Sequence, residues 1–144
     1  MDQMKRVTVL FYLLLIFALY MYISISYVET TDMGDGYIYN SECHHITGNI
    51  ELRPEVVCCT HNQRFIVAVQ KPESKYPNSM YNQPSNGYSK GIDAYYFWII
   101  DKKNGTSIGP IHEEDLQNLH LEDNGLKRMV FDMQKKKNQI VKEE

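Results

Sequence analysis

The sequence predicts an α+β fold in which an N-terminal transmembrane helix precedes a small antiparallel β-meander of four to six strands and one or two C-terminal helices. Three observations predict it: an apolar run near the N-terminus, compact β-rich runs separated by turn residues, and carboxylates followed by leucines at helical spacing after Pro110. Changes in composition divide the chain into a membrane anchor or signal segment (1–28), a linker (29–35), an exported domain (36–133) and a polar tail (134–144).

The overall composition is that of one ordinary globular domain with a weakly acidic charge. The chain has 144 residues, 43% of them hydrophobic, and a formal net charge of −3. Nucleic-acid binding requires clustered basic residues that neutralise phosphates, so this balance argues against a nucleic-acid partner. The one basic cluster, Lys135-Lys136-Lys137, lies among polar residues near the C-terminus and is interpreted as part of a solvated tail.

The first segment determines the expected location. Val7 to Val28 contains no charged residue and is preceded by Lys5-Arg6. As a helix it would be roughly 33 Å long, enough to cross a hydrocarbon core about 30 Å thick, so the lipid bilayer is the expected partner of this run. The basic pair belongs on the cytoplasmic side, which predicts a single-pass protein with its N-terminus inside and its domain outside the cytoplasmic membrane.

A cleaved signal peptide is the alternative interpretation of the same segment. Ser24 and Ser26 place small residues two positions apart, as a signal peptidase site requires. The apolar stretch before them is longer than the usual signal-peptide core of about 7 to 15 residues, which favours the uncleaved anchor. Cleavage would give a secreted or periplasmic protein, so both interpretations export the domain.

The predicted sheet is organised around the strand Tyr95 to Asp101, which is aromatic or β-branched almost throughout. Apolar residues on both faces indicate that both faces are covered. The expected faces are Tyr95, Phe97 and Ile99 on one side and Tyr96, Trp98 and Ile100 on the other. Asn104-Gly105 is a strong hairpin signal, Thr106 to Ile108 can return antiparallel, and Gly109-Pro110 should end that strand because proline cannot donate to the ladder.

Other β-rich runs complete the meander. Val56 to Thr60 and Phe65 to Val69 have hairpin spacing and are apolar on successive residues, so they belong in the middle of the sheet. Tyr37 to Cys43 is a first strand candidate, and a short hairpin around Gly48-Asn49 is possible within His44 to Leu52.

The segment Lys71 to Ile92 shows no structural period and is rich in Pro, Ser, Asn and Gly. One interpretation is a surface excursion without a specific role. The other is a binding loop, because Tyr76, Tyr81 and Tyr88 would combine contact area with adaptable hydrogen bonding.

Helical patterns follow Pro110. A helix is predicted from about Glu113 to Glu122, with carboxylates in its first turn and a stop at Asn124-Gly125. Leu126 to Met133 carries a weak second helical stripe.

Soft metal ligands occur in two groups along the chain. The candidate ligands are Cys43, His45, Cys58, Cys59 and His61. Neither group has the cysteine spacing of a zinc knuckle, and adjacent residues of a strand point to opposite faces, so Cys58 and Cys59 should diverge. The alternatives are buried structural cysteines with turn histidines, a disulfide from Cys43 to Cys58 or Cys59, a metal site, and a thiol nucleophile.

Several short motifs together resemble a known family. They are Met33 to Tyr37, Arg64 to Gln70, Phe97 to Lys102 and Gly109 to Ile111, in that order. The chain between Gly34 and Asp123 resembles small exported or membrane-anchored bacterial proteins with a domain of unknown function, the type numbered 3997. The resemblance implies location and fold. It implies no activity, because the family has none established.

These observations predict a membrane-anchored extracytoplasmic domain that acts as a binding or structural module of the bacterial envelope, with an envelope protein or a glycan as its partner. No catalytic residue and no cofactor is predicted. The alternative is a metal-dependent or thiol enzyme built on the Cys/His group.

Overall fold

The computed structural model describes residues 2–26, 29–73, 75 and 87–143. Within these residues the fold is α+β, with two antiparallel sheets and a long C-terminal helix, as predicted at the level of fold class. The elements are α1 (Asp2–Ser26), β1 (Thr30–Gly34), β2 (Tyr37–Asn40), β3 (His45–Thr47), β4 (Val56–His61), β5 (Phe65–Gln70), β6 (Tyr96–Asp101), β7 (Thr106–His112), a 3-10 helix (Glu113–Asn118) and α2 (Asn124–Glu143).

Helix α1 contains most of the apolar run, and all its residues from 7 to 22 are exposed. Among the described residues, no helix combines the length and the apolar character that a membrane crossing requires. The predicted transmembrane element is therefore not confirmed.

The larger sheet has the strand order β4-β5-β6-β7, and each strand pairs antiparallel with its neighbour in the chain. The predicted division of β6 into two apolar faces is confirmed. Phe97 and Ile99 belong to one buried cluster, and Ile100 belongs to another on the opposite face. The two faces of this sheet are covered by different partners.

Helix α2 and the 3-10 helix cover the first face, named here the helix face. Their buried apolar side chains are Leu116, Leu126, Val130 and Met133, which pack with Cys58, Phe65, Val67, Val69, Phe97 and Ile99 of the sheet. The helical spacing of the α2 residues puts them on one side of the helix, so a single apolar stripe covers the sheet.

The smaller sheet covers the second face, named here the sheet face. Met33, Tyr37, Ile46 and Leu52 pack against Val56, Ile66, Ala68 and Ile100. The strand order of this sheet is β1-β2-β3. The prediction of one continuous meander is thus corrected to two packed sheets.

Residues 29–35 contain the whole of strand β1 (Thr30–Gly34), where the sequence predicted a linker. Thr30 and Thr31 are β-branched, and Met33 is 1% exposed, so the segment has both strand propensity and a buried anchor. The turn to β2 contains Gly34, Asp35 and Gly36, all with positive φ (81°, 54° and 79°), which two glycines and an aspartate tolerate. The predicted hairpin in His44 to Leu52 is present only as a bridge between Ile46 and Leu52.

Strand β7 continues through Gly109-Pro110, where the sequence predicted that it ends. It pairs only with β6, so it is an edge strand, and an edge strand can contain a proline that has no ladder hydrogen bond to donate. The pairing register shifts between Phe97 and Ile99, opposite this pair.

The C-terminal helices also differ from the prediction. Glu113–Asn118 is a 3-10 helix, and Asn124-Gly125 begins α2 instead of stopping a helix. The cause is Asp123, whose Oδ1 accepts a hydrogen bond from the Leu126 amide at 2.9 Å as an N-cap. Helix α2 then continues to Glu143, through residues assigned to a polar tail, and the buried Lys137 and the partly buried Ile140 continue its stripe.

Candidate binding cleft and the residues that form it

A cleft of about 300 Å³ lies where α2, the edge strand β4 and the first hairpin of the smaller sheet meet. Its lining residues are Thr31, Met33, Tyr39, Val57, Cys58, Cys59, His61 and Lys136. Both sheets and α2 contribute to it, so the cleft exists only in the assembled fold.

Strand β4 turns several of its residues toward the cleft because its pairing is irregular. Val56 pairs with Gln70 and Cys58 pairs with Val69, so Val57 is an extra residue in the ladder. Such a bulge bends the edge strand and redirects its side chains. Cys58 then packs with the helix face, and Cys59 packs against the sheet face, as the sequence predicted for adjacent residues of a strand.

The two thiols in the cleft are poor nucleophiles. Burial raises the pKa of the Cys58 thiol to about 11, and the nearby Lys136 ammonium only partly opposes this effect. Burial also raises the pKa of Cys59 above its ordinary value, again with partial opposition from Lys136. A thiol with a raised pKa is protonated at neutral pH, whereas the reactive form is the thiolate.

The polar groups of the cleft include one ammonium group and two hydroxyls, which can pair with an anion or form hydrogen bonds with a ligand. Lys136 is exposed on α2 and supplies an ammonium group, while Thr31 contributes a hydroxyl. The Tyr39 hydroxyl lies 3.3 Å from His44 Nδ1, and burial raises the pKa of this tyrosine, so the hydroxyl is neutral and able to hydrogen-bond. The buried Met33 and Cys58 give the cleft an apolar floor.

Next to this cleft, the buried side chain of Lys102 forms a contact between the larger sheet and the smaller one. The Lys102 side chain is 2% exposed, and its Nζ donates to the Met33 carbonyl and lies 3.8 Å from Asp35 Oδ2. A Cβ added at Gly34 would come within 3.1 Å of Nζ, so glycine permits this close approach. The contact joins two of the motifs singled out in the sequence, Met33 to Tyr37 and Phe97 to Lys102.

The model of a protein family described as protein of unknown function (DUF3997) matches residues 31–131, more than half of the chain. The chain belongs to this family. The match covers both sheets and the first part of α2, and it confirms the domain of unknown function that the motifs predicted. The exported or anchored nature of the protein stays a prediction. A search of curated proteins and a search of solved structures found no match.

The DUF3997 fold separates the predicted Cys/His ligands. Cys43 is exposed in the turn before β3, and His45 begins β3, so neither lines the cleft that contains Cys58, Cys59 and His61. In the described part of the chain, no group of three or more His, Cys, Asp or Glu side chains is arranged to hold a metal ion. All three cysteines are free thiols, so none of the disulfides considered is formed.

Of the predicted loop tyrosines, Tyr76 and Tyr81 lie outside the described residues. Tyr88 is half-buried, donates a hydrogen bond to Gln70 Oε1 at 3.0 Å, and makes an edge-to-face contact with Tyr96 at 5.0 Å. Tyr88 thus attaches the end of the long segment to the sheet. A binding role for the segment stays a prediction.

Sequence reasoning missed Lys136, Thr31 and Tyr39 as members of the cleft. Thr31 was assigned to a linker and Lys136 to a solvated tail, because neither has a strongly apolar neighbourhood in the sequence. A signal for the helix was nevertheless present. Leu126, Val130, Met133, Lys137 and Ile140 recur every three or four residues, and this period places Lys136 beside the buried side of α2.

Proposed function

We propose that this DUF3997 protein is a binding module of the bacterial envelope, held at the cytoplasmic membrane by α1, with its cleft as the ligand site outside the membrane. The observation that carries the proposal is the exposed apolar surface of α1. The large apolar side chains from Val7 to Tyr22 are between 43% and 70% exposed.

This surface supports lipid contact because water is an unfavourable environment for it. Burying apolar surface stabilises by roughly 25 cal/mol per Å², and an extended exposed apolar surface marks a membrane or partner contact. A helix that is apolar on every side is found in a protein core or in lipid, and the described domain has its own two cores without α1. Lys5 and Arg6 before the run favour an N-terminus inside.

The cleft supports binding of a small ligand that has an anionic group and an apolar part. Ligand sites combine apolar walls with a few convergent polar groups. Here Met33 and Cys58 provide the apolar wall, while Lys136, Tyr39 and Thr31 provide a cation and two hydroxyls. Such a group could belong to an envelope glycan or to an envelope protein side chain. The raised thiol pKa values give no support to the alternative of a thiol enzyme.

The membrane part of the proposal is tested with the full chain carrying a C-terminal tag. It should remain in the membrane fraction after a carbonate wash, with the tag open to external protease. Leu14→Arg with Phe17→Arg should move the chain to the soluble fraction, whereas Leu14→Ile with Phe17→Leu should leave it in the membrane. A soluble, shortened product that begins near Tyr27 would support signal cleavage and contradict the anchor.

The cleft is tested by thermal unfolding of the full chain in detergent with a panel of small carboxylates and phosphate esters. A ligand that binds only the folded chain raises its melting temperature in proportion to the logarithm of its concentration. Lys136→Ala should abolish the rise, and the exposed Lys103→Ala should preserve it as a matched loss of charge. If the ligand raised the melting temperature of both variants equally, the proposal that the cleft is the ligand site would be wrong.

A further inference from the structure

The outer surface of α2 carries a row of basic residues around one aromatic side chain. Arg128, Phe131, Lys135 and Lys142 follow one another at spacings of three, four and seven residues, so they lie on one face of a helix with 3.6 residues per turn. All four are exposed. They are named here the basic stripe, which contains three cations; the exposed Asp132, four residues after Arg128 and three before Lys135, is the carboxylate beside it.

The rotation of α2 is fixed by its opposite side, which packs on the helix face of the larger sheet through Leu126, Val130 and Met133. The basic stripe therefore points away from the core. Phe131 is 54% exposed, and Lys135 Nζ lies 4.5 Å above its ring. Phe131 belongs to neither buried cluster, so more than half of its apolar surface is open to a partner.

The C-terminal half of α2 lies close to the segment that leaves α1. Lys136 lines the same cleft as Thr31, and the chain between Ser26 and Thr31 can extend over at most about 18 Å. If α1 is held in lipid, this half of α2 is therefore within a short distance of the headgroups. The stripe itself runs roughly 21 Å along the helix axis from Arg128 to Lys142.

We propose that the basic stripe binds the anionic lipid headgroups of the membrane that holds α1, an inference that rests on the proposed membrane attachment. Arg128, Lys135 and Lys142 would contact phosphate groups, and Phe131 would enter the boundary between headgroups and acyl chains. Basic side chains combined with an aromatic one on an exposed helix face are typical of interfacial helices. Each basic residue near an anionic surface strengthens attraction about fivefold, so the three together contribute on the order of 100-fold.

The test places a tryptophan in the stripe and measures its contact with lipid. The full chain with Phe131→Trp is reconstituted into phosphatidylcholine vesicles with or without phosphatidylglycerol, with bromine on the acyl chains as a quencher. The natural Trp98 is an internal reference, because it packs on the sheet face, opposite α2. We expect the tryptophan fluorescence of the Phe131→Trp chain to be quenched more than that of the unsubstituted chain, and only in vesicles that contain phosphatidylglycerol. This extra quenching should disappear in 1 M salt, because the screening length there is about 3 Å.

Charge variants in the Phe131→Trp chain give the matched comparison. Arg128→Gln, Lys135→Gln and Lys142→Gln together should abolish the extra quenching. Lys103→Gln, at an exposed lysine on the β6–β7 turn, should leave it unchanged. All these positions are exposed, and an unchanged melting temperature shows that each variant is folded.

The remaining outcomes separate this inference from the proposed function. A Phe131→Trp chain that floats with the vesicles but shows no extra quenching would overturn the lipid contact of the stripe, leave the membrane attachment standing and point to an acidic protein partner. Equal quenching without phosphatidylglycerol would overturn the recognition of anionic headgroups. A chain that does not float with either vesicle would overturn both proposals.

Discussion

The two faces of the larger sheet are held by different physical means. On the helix face, a stripe of apolar residues from α2 packs against apolar side chains, and the charged Asp101 lies at the rim, where its carboxylate pairs with Arg64 at 2.8 Å. On the sheet face, the next residue, Lys102, has its side chain buried against the Met33 carbonyl. Two consecutive residues thus place one charge at the rim, paired with a half-exposed guanidinium, and the other inside the protein.

The sheet face contains a second buried polar contact. Gln70 is fully buried; its Oε1 accepts hydrogen bonds from Trp98 Nε1 at 2.8 Å and from the Tyr88 hydroxyl at 3.0 Å, and its Nε2 donates to the Arg53 carbonyl at 2.8 Å. The strands of the smaller sheet are five, four and three residues long, so they offer few apolar residues to fix their position. The hydrogen bond from Lys102 to the Met33 carbonyl supplies a directional contact to this sheet, whereas α2 is long enough to be positioned by its apolar stripe.

The largest effect should come from the helix face. Phe97 lies on β6, is fully buried, and belongs to the same cluster as the buried apolar residues of α2. Phe97→Ala should lower the free energy of unfolding by about 3 to 5 kcal/mol, because it removes apolar contacts and leaves a cavity. Urea unfolding measures this loss. Phe131→Ala, at an exposed phenylalanine of α2, is the control, and equal midpoints for the two variants would contradict the packing of α2 on this face.

An intermediate effect should come from the buried ammonium on the sheet face. Lys102→Met keeps the length of the side chain but leaves the Met33 carbonyl without its donor, which should cost about 1 to 3 kcal/mol. Hydrogen exchange should accelerate mainly in β1 and β2, while the amides of α2 stay protected. Lys103→Met, on an exposed neighbour, should change stability by less than about 0.5 kcal/mol. A more stable Lys102→Met variant would show that burying the charge costs more than its contacts contribute.

The same difference between the faces explains how much of the fold could be predicted from the sequence. The strands β4, β5 and β6 were predictable because their apolar residues occur in continuous runs, and both faces of β6 were assigned correctly. The smaller sheet was only partly predictable. Its first strand, Thr30–Gly34, has one buried apolar residue, Met33, and its position depends on a contact with Lys102, which is distant in the sequence.

The candidate cleft was predictable only in its β4 residues. The opposite directions of Cys58 and Cys59 follow from the geometry of any strand, and the structure confirms them. Lys136 could not be assigned from local composition, because three consecutive lysines look the same in a solvated tail and in a helix that buries only the third. The burial of Lys137 depends on Glu113, with which its ammonium group pairs, and on the sheet beneath it.

The smallest effect should come from the charge at the rim of the helix face, and it should depend on pH. The Asp101 carboxylate accepts hydrogen bonds from Arg64 Nε and Nη2 and from the Lys103 amide, and the Arg64 guanidinium is the main cause of its lowered pKa. A carboxylate with a lowered folded-state pKa stabilises the protein above its unfolded-state pKa of about 3.9, and this contribution is lost as the pH falls through the folded-state value.

Asp101→Asn should therefore lower the urea midpoint slightly at pH 7, and the difference from the unsubstituted chain should shrink as the pH falls below about 4. The change at neutral pH should be smaller than that of Lys102→Met, because the Arg64 side chain is 48% exposed and water screens the pair. Arg64→Gln is the matched control, since it leaves the carboxylate in place and should return its pKa toward the ordinary value. The ordinary pKa of a carboxyl group lies well above pH 2.5. If the difference in urea midpoint stayed constant from about pH 7 down to about pH 2.5, the charge of Asp101 would not be its cause. The effect would then be assigned to the hydrogen bonds that the Lys103 and Asn104 amides donate to Asp101 Oδ1.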